Sequence, residues 1–278
     1  DVIGRKPDDW TVKKIGNKWI NQSPKLTDSS LEPLGIVGKM IGDYYMLRQR
    51  LAVVEGWLEL VDRWGDGRLH GDMFCIGTPS FRCRHRGIVN IPGVHAPYGK
   101  ELRSLLTCEK GSKLVGADSA GNQFRGLAHY MKDSTFTASV VTGKESDGTD
   151  AHSRNAAILG ISRSAAKSFI YAYLFGAGVA KLGEVITGLK SPKAGKIADA
   201  KFSEAFPLLK ELKDDLLHEF NHNKMKTGIG FIKGADGRRI FVGSDHQLLN
   251  YLLQTLEGIT CKTALVYQYK AIKELGIE

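Results

Sequence analysis

The chain lacks the features that mark secreted, zinc-stabilised or membrane-embedded proteins. Its four cysteines (Cys75, Cys83, Cys108 and Cys261) are scattered and form no Cys-x-x-Cys pair. Such spacing argues against a disulfide or zinc framework and favours reduced thiols in a cytosolic protein. No apolar run approaches the roughly 20 residues of a membrane span, and the first residues carry no apolar signal core. We therefore expect a cytoplasmic protein that does not enter a membrane.

Internal repeats and low-complexity tracts are also missing from the sequence. The 278 residues leave room for one large domain or two smaller ones, and a hydrophobic content of 42% is ample for a core. The formal net charge is +9. For a chain of this size, that charge favours a polyanionic partner, with nucleic acid first and an anionic membrane surface second.

The stretch from Arg163 to Gly178 predicts a helix with a distinctive polar face. Good helix formers open it, and a Gly-Ala-Gly sequence is a natural stop at its end. Arg163, Lys167 and Tyr171 are spaced by four, so their side chains share one face. Two cations one turn apart suit a polyphosphate, and the ring suits a sugar or base above it. Taken alone, the same pattern also fits a solvated helix with incidental basic residues.

Ahead of this helix the chain alternates between helical and extended patterns. Residues 1–30 are polar and indicate an extended lead-in, and 31–64 show helical apolar spacing with a candidate break near Gly56. A Gly-Asp-Gly turn then opens a strand-like run at 68–77, and 98–107 predict a short helix.

A dense basic loop lies between these last two segments, from Thr78 to Gly93. It carries Arg82, Arg84, His85 and Arg86 outside any regular apolar pattern. The loop fits a solvated charge cluster and a segment that follows a nucleic-acid backbone equally well.

A single carboxylate closes the next apolar segment. Lys113 to Asp118 predicts a short strand, and Gln123 to Met131 predicts the helix that follows. An aspartate at the end of a strand is often a helix cap. It can also be a metal ligand that a rigid strand presents to a cleft.

The second half of the chain is predominantly helical. Residues 191–226 are rich in Lys, Asp and Glu and predict exposed helices, 228–242 predict a hairpin, and 245–275 predict one long helix. In this last helix His246, Asn250 and Gln254 are four apart and share a face.

Five of these segments together resemble the polymerase core of family A DNA polymerases, most closely the branch found in short-tailed bacteriophages. Each segment is weak evidence alone, but their order and spacing fit the family from about residue 30 to the end. In chain order they are motif A as KLVGADSAGNQFRGLAHYM, the Asp150-Ala151-His152 segment, motif B as Arg163, Lys167, Tyr171 and Gly176, a DGRR hairpin at Asp236 to Arg239, and HxxxNxxxQ at His246, Asn250 and Gln254.

The resemblance implies an α+β fold, a right-hand polymerase core with mostly helical fingers on an incomplete antiparallel palm sheet. The expected domains are a thumb remnant and connecting helix at 1–66, the first part of the palm with motif A at 67–131, fingers at 132–245 with the motif B helix at 163–178, and a palm helix at 246–278. The implied reaction is template-directed transfer of deoxynucleotides to a primer 3′ end, a DNA-directed DNA polymerase activity.

The resemblance also implies roles for the phosphate-facing residues. Asp118, assisted by the backbone carbonyl of Ser119, would be one of the two carboxylates that hold two Mg²⁺ ions. Arg163, Lys167 and His152 would grip the triphosphate of the incoming dNTP. Lys167 would also be the general acid for the pyrophosphate leaving group.

Further roles concern the sugar and the primer–template DNA. The Tyr171 ring would close over the sugar, and Gln123, where the family usually has Glu, would exclude a ribose by its bulk. Phe175 replaces the family's usual Tyr and keeps a stacking face for the template. The minor-groove contacts would come from His246, Asn250, Gln254 and Arg125, with Arg82 as the nearest arginine of the basic loop, although which arginine of that loop contacts DNA is left open.

The sequence departs most from the family at motif C, a His-Asp-Glu segment that should follow the last helix. The pairs His218-Glu219 and Asp214-Asp215 lie elsewhere, in a charged helix. One carboxylate is too little to hold two divalent ions against their mutual repulsion. We therefore expect a second polypeptide, from a split or cleaved polymerase, to supply motif C and the rest of the palm, and we expect this chain alone to be inactive.

Two other functions fit parts of the pattern. A non-catalytic subunit that binds DNA or nucleotides would not need a carboxylate that faces the phosphates, so Asp118 argues against it. A single-subunit RNA polymerase has a similar motif A aspartate and motif B. Gln123 and the hairpin followed by the HxxxNxxxQ helix favour a DNA polymerase.

Overall fold

The computed structural model describes residues 10–15, 18–24 and 26–276. Within them the chain forms two compact units: unit 1 comprises the described residues up to Asp72 together with His85–Leu114, and unit 2 comprises Met73–Arg84 and the described residues from Val115 onward. The described part is mostly helical with short antiparallel strands, which confirms the expected α+β class. None of its helices combines the length and apolar character that a membrane crossing needs.

Helices provide most of the framework. Those of unit 1 are α1 (Asp28–Leu31), α2 (Gly35–Trp64) and α3 (Gly99–Ser104). Those of unit 2 are α4 (Asn122–Met131), α5 (Ser134–Val141), α6 (Ala151–Leu159), α7 (Arg163–Leu174), α8 (Val179–Thr187), α9 (Pro192–Ala205), α10 (Pro207–Thr227) and α11 (Leu248–Glu274).

Unit 1 begins with a hairpin where the sequence predicted an extended lead-in. Strands β1 (Trp10–Ile15) and β2 (Lys18–Pro24) pair antiparallel, with a register shift between Thr11 and Val12. The extended conformation of these residues was predicted but their pairing was not, and the first nine residues lie outside the described residues. The signal was present, because β-branched and aromatic residues flank a Gly-Asn dipeptide that is typical of hairpins.

Helix α2 is one continuous element of 30 residues. The predicted break at Gly56 is wrong, because one glycine in a helix costs only about 1 kcal/mol relative to alanine. Trp57 is buried and donates its Nε1–H to the carbonyl of Gly87 at 3.2 Å. The helix ends at Gly65 in the left-handed conformation (φ 69°), which confirms the predicted turn. Most of its large apolar side chains are exposed: Ile36, Met40, Tyr44, Leu47, Leu51 and Leu58.

Strand structure between α2 and α4 is sparse. Strand β3 covers only Asp72–Phe74 of the strand predicted at 68–77, and β4 covers Arg84–Arg86. The strand predicted from Lys113 to Asp118 is absent: residues 112–119 have no regular structure and are exposed. A strand needs a neighbour for its backbone hydrogen bonds, and none of the strands in the described residues pairs with this segment.

Unit 2 has one apolar core that α7 helps to form. The buried side of α7 contributes Ala166, Phe169, Ile170, Tyr173 and Leu174. The helices predicted as merely exposed over 191–226 also enter this core, because α9 and α10 bury Phe202, Leu209, Leu216 and Phe220. The charged residues of α9 and α10 lie on the opposite faces of these helices. Composition alone therefore did not reveal that each helix also has a buried apolar side.

The predicted hairpin is confirmed as β5 (Phe231–Lys233) and β6 (Arg239–Phe241), which pair antiparallel. Ile232 lies opposite Ile240, and both are fully buried against the core. The long last helix is also confirmed, but it begins at Leu248, after a 3₁₀ turn at Asp245–Gln247.

Helices α8 and α9 pack with their backbones in direct contact. A Cβ on Gly183 would overlap the carbonyl oxygen of Ser191, and one on Gly195 would overlap that of Val179. Only glycine permits such a close approach of two main chains.

Candidate active site

Helix α7 presents the predicted polar face because its ends and its buried side fix its rotation. Ser162 caps the helix by accepting a hydrogen bond from the Ala165 N–H at 3.2 Å. The apolar side enters the core of unit 2, which leaves Arg163, Lys167 and Tyr171 on the other side. The helix prediction is thereby confirmed, although α7 ends at Leu174, a few residues before the predicted stop.

Arg163 is held by Asp150 in a two-point contact. Its Nη2 donates to Oδ2 of Asp150 at 2.9 Å and its Nε donates to Oδ1 at 3.3 Å, while Glu145 lies 3.1 Å from Nη2. Asp150 also caps α6 by accepting from the backbone N–H groups of His152 and Ser153. Burial raises the pKa of Asp150, but these hydrogen bonds outweigh it and lower the pKa to about 2.

His152 lies in the first turn of α6 and faces the same region. Burial lowers the pKa of its imidazole, and the charges of Arg163 and Lys167 lower it further against the opposing effect of Asp150. Its buried Nδ1 has no hydrogen-bond partner among the described residues. The ring is therefore neutral near pH 7 and offers an unsatisfied polar atom next to two cations.

Phe124 joins the two helices through ring contacts. Its ring centroid lies 5.0 Å from that of His152 and 5.3 Å from that of Tyr171, both in edge-to-face geometry. Burial, and secondarily the charge of Glu257, raises the pKa of the Tyr171 hydroxyl. His152, predicted to bind the triphosphate, and Tyr171, predicted to cover the sugar, thus share one aromatic cluster with Phe124.

Gln123 precedes this cluster and contacts a carboxylate that the sequence did not single out. Its Nε2 donates to Oε2 of Glu257 on α11 at 3.0 Å. The same carboxylate lies 3.6 Å from Nε of Arg82. Glu257 follows the predicted HxxxNxxxQ pattern by one turn, but nothing in its spacing distinguished it from a solvated helix residue.

A second set of contacts connects α11 to the start of the basic loop. Gln254 donates from Nε2 to Oδ1 of Asn250 at 2.7 Å, and its Oε1 accepts from the hydroxyl of Ser80 at 2.9 Å. Lys262 contacts the backbone carbonyl of Phe81 in the same loop and that of Cys75 just before it. Two of the three residues of the HxxxNxxxQ pattern, Asn250 and Gln254, are therefore joined to each other.

The third residue, His246, lies apart from them in the 3₁₀ turn that precedes α11. Its side chain is exposed and its Nδ1 lies 2.7 Å from the hydroxyl of Ser244. A Cβ on Gly176 (φ 76°) would overlap the backbone oxygen of His246, so the end of α7 lies directly against this turn. Phe175 is exposed, with its ring centroid 6.0 Å from that of Tyr171.

The remaining predicted residues are exposed. Arg125 donates from Nε to the carbonyl of Ala120 at 3.1 Å. Lys167 makes no ion pair or side-chain hydrogen bond with another described residue. Asp118 and Ser119 lie in the irregular segment before α4. The part of the chain that the structure describes contains no group of three acidic, histidine or cysteine side chains that could hold a metal, so Asp118 and Ser119 do not by themselves fit a two-ion site.

The fold is similar to that of a solved DNA polymerase domain. The fold matches the solved POL domain of Pol1 from M. smegmatis, in complex with DNA primer-template and dNTP, with a TM-score of 0.72 and 17% identity. The match covers 92% of this chain and 47% of that one. It confirms the expected polymerase-core fold.

Sequence comparisons identify the family. The chain belongs to DNA polymerase family A, whose match spans residues 11–233. It is 29% identical over 265 residues to the DNA-directed DNA polymerase of Escherichia phage T7, covering 86% of this chain and 36% of that one. The DNA-directed DNA polymerase of Escherichia phage Phieco32 is 25% identical over 344 residues, covering 93% and 54%. The chain thus spans about a third to a half of these relatives' lengths, and the predicted resemblance to the phage branch is confirmed.

Proposed function

We propose that the chain is the nucleotide-binding part of a DNA polymerase that adds deoxynucleotides to a primer 3′ end as a template directs. The observation that carries the proposal is the polar face of α7. Arg163 is fixed by Asp150, neutral His152 lies beside it, and exposed Lys167 follows one turn on. This is a preorganised set of donors of the kind that binds a triphosphate.

In the proposed reaction the primer 3′ hydroxyl gives its proton to water as its oxygen attacks the α-phosphorus, and the bond from that phosphorus to the pyrophosphate oxygen breaks. Arg163 and Lys167 neutralise the charge that grows on the leaving group. Lys167 donates a proton to the departing oxygen and recovers one from water. Because Arg163 is already held in place, little of its side-chain freedom is lost when the triphosphate binds.

The sugar and the DNA would lie on either side of this triphosphate site. Tyr171 covers the sugar, and Gln123 occupies the space that a ribose 2′-hydroxyl would need. Phe175 stacks on the template, while Arg82, Arg125, His246, Asn250 and Gln254 contact the primer–template. The positive net charge of +9 supports a DNA partner, and the phage relatives are DNA-directed DNA polymerases by name.

We also propose that the metal site is completed from outside the described residues. Two Mg²⁺ ions need a second carboxylate beside Asp118 and the Ser119 carbonyl, and no suitable group exists among the described residues. A second polypeptide that brings motif C and the rest of the palm would supply it. Without that second polypeptide, this chain would bind nucleotide but would not extend a primer.

Primer extension tests both parts of the proposal. The chain is assayed with Mg²⁺, primer–template DNA and all four deoxynucleotides, alone and with any polypeptide that co-purifies with it. We expect activity only with the partner, and loss of that activity in Asp118→Ala but not in Asp215→Ala, which removes an exposed carboxylate from α10. Full extension by the isolated chain would refute the shared metal site, and no extension under any condition would refute the polymerase function.

A further inference from the structure

Glu257 contacts two predicted site residues, Gln123 and Arg82, yet it has no role in the proposed reaction. Its carboxylate accepts from Nε2 of Gln123 at 3.0 Å and lies 3.6 Å from Nε of Arg82. The Glu257 side chain is only 23% exposed, so these contacts are partly shielded from water. Its charge also acts on Tyr171, where it adds to the effect of burial in raising the pKa of the hydroxyl.

A carboxylate at this place determines which way the Gln123 amide faces. An ionised carboxylate can only accept hydrogen bonds, whereas an amide has a donor end and an acceptor end. The NH₂ end of Gln123 must therefore face Glu257, and Oε1 must face away. That Oε1 is buried and has no partner among the described residues, so the contact with Glu257 is the side-chain hydrogen bond that fixes the amide.

We infer that Glu257 is a positioning residue for sugar selection: it holds Gln123 rigid so that the amide cannot swing away from a ribose 2′-hydroxyl. The inference rests on the proposed function, which places Gln123 against the sugar. A side chain excludes a hydroxyl by bulk only if it cannot move, and an amide held at one point by a charged acceptor is strongly restrained. Arg82 forms an ion pair with the same carboxylate. Glu257 therefore positions the basic loop and the Gln123 side chain together.

The pair also explains how an amide can occupy a position where the resemblance expects glutamate. A carboxylate at position 123 would face Glu257 at about 3 Å, and two negative charges that close repel strongly. The pair therefore carries one negative charge, which belongs to Glu257 on α11 and not to the residue at position 123 on α4. Exchanging the two side chains should therefore preserve the contact, while changing either one alone should disturb it.

The first test compares the affinity of the chain for dATP and for ATP by equilibrium dialysis. In Glu257→Gln the facing amide can donate or accept, so Gln123 is free to flip. We expect the ratio of dATP to ATP affinity to fall about tenfold, which is the lower end of the effect of losing one hydrogen bond to a charged group. Glu274→Gln makes the same change at an exposed position of α11 and should leave the ratio unchanged. An unchanged ratio in Glu257→Gln would overturn the inference.

The second test is an exchange of the two side chains, followed by dialysis and thermal unfolding. Gln123→Glu should lower both the selectivity ratio and the melting temperature, and the double variant Gln123→Glu with Glu257→Gln should recover both. Strictly additive losses would show that the residues are not coupled and would overturn the inference. If the wild-type chain binds neither nucleotide, the proposed function fails, but the unfolding data still decide whether Glu257 holds Gln123.

Discussion

The Asp150 carboxylate stabilises two helices at once. It caps the start of α6, and it also accepts a hydrogen bond at 2.9 Å from Nη2 of Arg163 on α7. One side chain therefore sets both the position of His152 and the direction of Arg163. The triphosphate-binding residues are consequently coupled through a group that need not touch the nucleotide.

Replacing Asp150 should destabilise the protein in a pH-dependent way. Asp150→Asn keeps the size but loses the charge, and we expect a cost of about 1–2 kcal/mol in the free energy of unfolding at pH 7. The folded-state pKa of about 2 lies well below the ordinary pKa of an aspartate. The stabilisation is thus present above about pH 4 and is lost as the pH falls toward 2.

Urea unfolding of wild type and Asp150→Asn between pH 2 and pH 7 measures this difference. The difference in the free energy of unfolding between the two proteins should shrink as the pH falls. Asp215→Asn, an exposed carboxylate on α10, is the matched control and should show little gap at any pH. A gap that stays constant down to pH 2 would contradict the linkage.

Removing the charge of Lys167 should weaken triphosphate binding specifically. Lys167→Met keeps most of the aliphatic side chain and removes the ammonium group, and we expect the affinity for a deoxynucleoside triphosphate to fall about tenfold or more. Affinity for the deoxynucleoside without phosphates should not change. Lys210→Met, at an exposed site on α10, controls for the loss of net charge. Equal losses in the two variants would indicate general electrostatic attraction only.

Nucleotide binding should become tighter as the pH falls below about 6.5, through His152. Burial and the nearby cations lower the pKa of this imidazole in the free protein. A bound triphosphate brings negative charge, which favours the protonated ring and raises its pKa, so binding takes up a proton. His152→Gln should lose this component of the pH dependence. The phosphate's own titration is common to both proteins, so identical pH profiles would rule out His152 as its source.

Gly176 should not tolerate a side chain. It has φ 76°, and a Cβ there would overlap the backbone oxygen of His246. We expect Gly176→Ala to cost about 1–3 kcal/mol in the free energy of unfolding, from backbone strain and the displaced turn. Gly178→Ala, where a Cβ meets nothing within 4 Å, should cost less than about 1 kcal/mol. Thermal unfolding of the two variants separates them, and equal costs would contradict the proposed clash.

Local patterns predicted the helices and the β5–β6 hairpin well, because these elements are specified by residues close in sequence. The α7 face follows from the spacing of its residues, whereas the capping of α6 by Asp150 was not predicted. The segment from Lys113 to Asp118 was misread, since its apolar residues indicate a strand but no described strand pairs with it. Whether such a segment becomes a strand depends on partners that its own residues do not encode.

Long-range contacts between polar side chains were beyond the reach of the sequence. Glu257 meets Gln123 across 134 positions, and Ser80 meets Gln254 across 174. Each lies among similar polar residues that are solvated, and only the packing of α4 and the loop against α11 distinguishes them. The hairpin at β1 and β2 was missed for a simpler reason, because its high polarity outweighed its strand-like alternation.

The direct backbone contact between α8 and α9 has a mechanical consequence. Where Gly183 and Gly195 meet the opposite main chain, no layer of side chains remains that could shear or compress between the helices. A displacement of one helix therefore requires the other to move with it.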